Sequence, residues 1–131
     1  MNSKMPEVEY IAGSCNIGKG EIRRRQLVAL VGLFFSISTL LTFHALTAPT
    51  LVRLGIFFPL IVTSVGFVQS RSKFCLAYGF AGTFNIGKLG DIKRVASPED
   101  RAADRKTASV ILGKSFLLAV IATVVVLVLP F

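Results

Sequence analysis

Two short phrases hold the residues with the most chemical potential in this chain. AGSCNIGKGEIRR occupies residues 12–24, and AGTFNIGKLGDIKR, residues 81–94, restates it sixty-nine positions later. Each contains G-x-x-x-x-G-K, from Gly13 to Lys19 and from Gly82 to Lys88. In a phosphate-binding loop, that spacing wraps anionic oxygens in backbone amides while the lysine reaches them. The likeness ends there. The Ser or Thr that would hold magnesium is replaced by Gly20 and Leu89, and only 26 residues precede the first apolar block, too few for the required parallel sheet. The pattern argues against a nucleotide hydrolase.

With Leu89 taken as an insertion, nine positions of the two phrases are identical and three are conservative: Ser14/Thr83, Glu21/Asp91 and Arg23/Lys93. Tyr10 and Tyr78 stand just upstream of each. Duplication, or a strong shared constraint, is the better explanation than coincidence. Two readings follow. In one, successive glycine amides form an anion-binding nest ahead of a helix N-terminus, with a lysine beside it. That site would be made by Gly13, Asn16, Gly18, Lys19, Arg23 and Arg24 in the first phrase. In the second it would be made by Gly82, Asn85, Gly87, Lys88, Lys93 and Arg94. In the other reading the glycines only make tight turns, and Asn16 and Asn85 cap helices. Both phrases end in an acidic residue, an isoleucine and two basic residues, which predicts a helix start. The two phrases are expected to pack on each other, with Ile17/Ile86 and Cys15/Phe84 between them.

Other reactive groups are sparse. Cys15 and Cys75 have no CxxC partner, and His44 is the only histidine, so no metal or cofactor is called for. Glu21 and Asp91 read as helix-start acids. Glu99, Asp100 and Asp104 read as surface partners of Arg101, Arg105 and Lys106. No catalytic constellation emerges.

The elements that must position these phrases are apolar. The 131 residues are 53% hydrophobic and only 17% charged, far from the balance of an ordinary soluble domain. No Asp, Glu, Lys or Arg occurs in 27–52, and after Arg53 none occurs until Arg71. A bilayer-crossing helix needs about 20 apolar residues. The expected fold is an all-α integral membrane protein with three spans. These are a helical hairpin of 27–47 and 51–70, turning at Ala48-Pro49, and a third span over 110–130. Pro59 should kink the second span. The ladder Ser36, Ser38, Thr39, Thr42 and His44 suits helix packing. Ser97-Pro98-Glu99-Asp100 predicts a helix start at 97 that continues into the third span. FCLAYGFAGTFNIG, 74–87, is too short and glycine-rich to cross and is expected as a loop packed on its partner phrase. Glu7, Glu9 and Glu21, with the length of the first apolar stretch, speak against a cleaved signal peptide.

Of the 15 basic residues, thirteen lie in 1–26 or 71–109. By the positive-inside rule these segments face the cytoplasm and the C-terminus lies outside, in a plasma (inner) membrane. Arg53 would snorkel to the outer interface and Lys114 to the inner one. The nearest partner for this basic face is anionic lipid headgroups, not nucleic acid.

These features describe a small, non-enzymatic, multi-pass membrane protein. It would serve as an accessory or scaffold subunit whose paired phrases bind anionic headgroups or dock a larger membrane complex, or associate as a homo-oligomer. The alternatives are an oligomeric small transporter or channel and, more remotely, a lipid-processing enzyme using Lys19 and Lys88.

Overall fold

A computed structural model describes residues 9–130. Residues 1–8 and 131, and with them Lys4, Glu7 and the opening of the 1–26 segment, lie outside the described residues. Helix α1 spans Lys19–Leu46. A turn leads to the short α2, Thr50–Arg53, and a 3-10 turn, Leu54–Ile56. Helix α3 spans Phe57–Ser72, α4 spans Leu76–Ala81, and α5 spans Pro98–Val128. Between α4 and α5 lies a two-stranded antiparallel hairpin: β1, Thr83–Phe84, pairs with β2, Lys93–Arg94.

Among the described residues, three helical stretches are long and apolar enough to cross a membrane: Lys19–Leu46, Thr50–Ser72 and Pro98–Val128. The expected spans 27–47, 51–70 and 110–130 overlap them, running past the first by one residue and past the third by two. α3 is the middle rod, sharing surface with α1 on one side and α5 on the other. Small residues set the α1–α3 distance. A methyl at Gly66 would stand 2.7 Å from the Ala29 amide nitrogen, and one at Gly32 would stand 2.6 Å from Thr63 Oγ1. Such close backbone approach drives helix association where no hydrophobic effect operates. Ser36 bonds back to the Gly32 carbonyl at 2.8 Å and lies 3.4 Å from Thr63 Oγ1, so this member of the polar ladder serves packing. On the other side, Val68, Phe74, Ala108 and Ile111 form a buried cluster, and Phe57 meets Phe116 edge to face at 5.8 Å.

The hairpin turns where expected. Thr47 takes the left-handed conformation and Pro49 caps α2. The irregularity in the second span falls at the 3-10 turn just before Pro59, whose missing amide cannot bond to Gly55 four residues back. Arg53 departs from expectation. It is buried instead of snorkelling, because its guanidinium ties the turn between α1 and α2 to the end of α5. It donates to the carbonyls of Ala48, Val126, Leu127 and Leu129 at 3.0, 3.4, 3.2 and 2.8 Å.

At the other end, α5 starts as expected. The Ser97 hydroxyl accepts from the Asp100 amide at 3.4 Å with Pro98 in the first position, and the helix continues unbroken into the span. Two expectations for the phrases fail there. Asn16 and Asn85 do not cap helices; Gly18 is the N-cap of α1, without a side-chain bond. The second phrase begins no helix. A turn with the Asp91 amide bonded to the Lys88 carbonyl at 3.0 Å, and Gly90 at φ +88°, folds its tail back as β2. Gly90 beside the inserted Leu89 supplies the positive φ that such a turn needs and a helix does not. The segment 74–87 is not a simple loop, since α4 occupies its first half and packs on α5.

Candidate functional site

The two phrases meet at one end of the three helices. The Asn85 amide donates to the Asn16 carbonyl at 2.9 Å, and the Gly18 amide donates to the Asn85 carbonyl at 2.9 Å. Gly18 is required for this. A Cβ there would lie 2.0 Å from the Ile86 carbonyl oxygen, where nothing but glycine fits. Ile17 and Cys15 are buried at the seam, as expected. Ile86 and Phe84 are only partly buried, and Phe84 stacks on Tyr10 at 4.5 Å between ring centroids.

This pairing uses up most of the backbone that an anion nest would need. The Gly13 amide donates to Asp104 Oδ1 at 2.7 Å, and its carbonyl accepts from Thr107 at 2.7 Å. Gly13 and Gly82 share φ +74° and serve as left-handed corners, and the Gly82 carbonyl accepts from the Val95 amide. The asparagines point inward. Asn16 clasps the Cys75 backbone, accepting from its amide at 2.7 Å and donating to its carbonyl at 3.1 Å. Asn85 Nδ2 donates to Glu21 Oε2 at 3.3 Å, and its Oδ1 has no partner among the described residues. Gly13, Asn16, Gly18, Gly82 and Asn85 are thus the frame of the module.

The cations face outward. Lys19, Arg23, Arg24, Lys88, Lys93 and Arg94 are all exposed, as is Gly87. Arg24 lies 3.8 Å from Glu21 and Lys93 lies 3.9 Å from Asp91, weak contacts in water. Lys19 and Lys88 form no ion pair among the described residues. Their placement follows from their neighbours: Gly18 touches Ile86, and a methyl on Gly20 would meet Leu89 at 3.6 Å. The two lysines therefore emerge along the same seam.

Beneath this surface lie two carboxylates whose burial the sequence did not declare. Glu21 stands in the first turn of α1, as expected of a helix-start acid, but it is fully enclosed. It accepts from Arg25 Nη1 at 2.9 Å, from the Tyr78 hydroxyl at 2.7 Å and from Asn85. The other amino group of Arg25, Nη2, lies 2.9 Å from Cys75 Sγ. Asp104 is likewise fully buried and not a surface partner of Arg101 or Lys106. Tyr10 donates to its Oδ2 at 2.7 Å and Gly13 to its Oδ1. The one sequence signal for either cluster was the tyrosine upstream of each phrase. Burial, and then the adjacent carboxylate, push both phenols above their ordinary value. Burial likewise raises the Cys15 thiol, which donates weakly to the Ile17 carbonyl at 3.6 Å. Every oxygen of Glu21 and Asp104 faces a protein donor, so both carboxylates work as internal ties.

Two open apolar grooves, about 470 and 500 Å³, run between α3 and α5 and share Phe57 in their walls. No Asp, Glu, Lys, Arg or His lines either one. No protein-family model, no curated protein and no solved structure matches the chain.

Proposed function

We propose that this is a small, non-enzymatic, multi-pass membrane protein. Its paired glycine-rich phrases would present a cationic face to anionic lipid headgroups on the cytoplasmic side and hold it there as an accessory or scaffold subunit. One observation carries the reading. The inward-facing groups of the module are occupied by protein partners, whereas Lys19 and Lys88 stand exposed along one seam with no acidic partner among the described residues. Arg23 and Arg24 follow one turn further along α1 toward the apolar stretch that begins at Leu27. Cations grouped beside a span are attracted to anionic lipid by about 1 kcal/mol each. Recognition here rests on side-chain charge and not on a backbone nest.

The test is ligand-induced stabilisation of the detergent-solubilised chain, because a ligand that binds only the folded state raises its Tm. Phosphatidylglycerol should raise Tm more than phosphatidylcholine does, and Lys19→Ala/Lys88→Ala should remove that difference. Equal effects of the two lipids on the unaltered protein would defeat the headgroup reading. A larger membrane complex co-purifying in stoichiometric amount would then make docking the module's role.

A further inference from the structure

Outside the three long helices, few large apolar side chains should face water, yet the β1–β2 hairpin carries two at its tip. Leu89 is 56% exposed and Ile92 is 51% exposed. Leu89 opens the turn that Gly90 completes, so it projects from the end of the hairpin with open space beyond Gly90. Cations flank both residues: Lys88 and Lys93 are their chain neighbours, Arg94 follows, and Lys19 stands across the seam. Apolar residues rimmed by lysine and arginine match a membrane interface, where the side chains enter the headgroup layer and the charges meet phosphates.

The direction of the hairpin agrees with that composition. Ile86 lies against Gly18, and Leu89 against Gly20. Between these contacts the chain descends along α1 toward its apolar stretch. Gly20 is seven residues before Leu27, so at 1.5 Å per residue it stands about 10 Å above the hydrocarbon. The headgroup layer adds roughly 5–8 Å on each side of the core, and spanning helices commonly tilt by about 20°. That places the Leu89 side chain, beside Gly20, about 2–5 Å beyond the layer if α1 stands upright, a gap that a tilt of α1 toward the hairpin narrows.

We infer that the 85–92 hairpin tip is an interfacial anchor that sets Leu89 and Ile92 among the headgroups of the leaflet on the module's side. It would hold the module against the bilayer and keep Lys19 and Lys88 at phosphate height. This rests on the headgroup reading of the module but adds an apolar contact that charge alone does not supply.

The chain contains no tryptophan, so Leu89→Trp places a single reporter at the tip, and Ile92→Trp gives an independent second one. Each variant is reconstituted whole into vesicles of phosphatidylcholine alone or of phosphatidylcholine mixed with phosphatidylglycerol. The expected result in the mixed vesicles is blue-shifted emission, loss of most of that emission to lipids brominated near the headgroup, and poor quenching by aqueous iodide. Water-like emission from both reporters, quenched by iodide and untouched by brominated lipid, overturns the inference and leaves the tip as a surface for another protein. Lipid quenching of equal strength in both vesicle types upholds the anchor while removing the charge-based reading of the lysines. The two ideas therefore fail separately.

Discussion

Tyr78 donates its hydroxyl to Glu21 at 2.7 Å, across 57 residues of chain, and Tyr10 does the same to Asp104 at 2.7 Å across 94. The two bonds are crossed. Tyr78 precedes the second phrase but grips α1, which follows the first. Tyr10 precedes the first phrase but grips α5, which follows the second. The segment ahead of each phrase is thereby tied to the long helix that follows the other, and the module fastens the outer two of the three rods to each other.

Removing either phenolic oxygen leaves an under-bonded carboxylate in a buried site. Tyr78→Phe and Tyr10→Phe should each cost about 1.5–3 kcal/mol, the range for hydrogen bonds to charged groups. Thermal or denaturant unfolding in detergent measures this. A loss within error of zero for both substitutions would mean that the ties do not hold the module.

Burial, and then the same bonds, set the pH response of the phenols. Both folded values lie above the ordinary 10.0. The stability they contribute is therefore complete below pH 10.0 and is lost as pH rises from there through the higher folded value. The chain has only two tyrosines, so phenolate absorbance reports on these two alone. It should stay low at pH 10.0 in the folded protein and appear at that pH once the protein is denatured. A half-titrated spectrum at pH 10.0 in the native state contradicts the buried placement.

Two glycines two residues apart should behave oppositely. Gly18→Ala forces a methyl to 2.0 Å from the Ile86 carbonyl and should cost about 1–3 kcal/mol as an overpacking change. With the seam opened, Cys15 and Cys75, 6% and 2% exposed, should react faster with a maleimide. Gly20→Ala meets Leu89 at an ordinary 3.6 Å and replaces glycine within a helix, so it should be neutral or stabilise by up to about 1 kcal/mol. Similar labelling rates in both variants would refute the seam geometry.

At the far end, Arg53 ties the turn between α1 and α2 to the last carbonyls of α5. Arg53→Ala should lower stability by about 2–3 kcal/mol and speed amide exchange over 126–129. Arg53→Lys should rescue little, because an ammonium group cannot reproduce the fork that reaches several carbonyls at once.

The three rods were legible in the sequence because crossing a bilayer imposes a length and a composition on contiguous residues, and Leu27–Ser70 and Val110–Leu129 declare both. The Ala48-Pro49 corner and the Ser97-Pro98 start were legible for the same kind of reason, since a cap or a proline acts within one turn of itself. What the sequence left open was decided by distant partners. Glu21 and Asp91 occupy matching places in matching phrases, yet one is a buried hub and the other an exposed turn residue. The difference is that Tyr78, Asn85 and Arg25 converge on the first, while an extra Leu89 sends the second into a hairpin. Asp104 reads as a surface acid until α5 is laid against Tyr10 and Gly13, and Arg53 reads as a snorkelling cation until the end of α5 arrives beside it. Local patterns declared the three long helices, though not the fate of the second phrase. Only the packing of segments 57 or 94 residues apart determines which polar groups leave water and what they meet there.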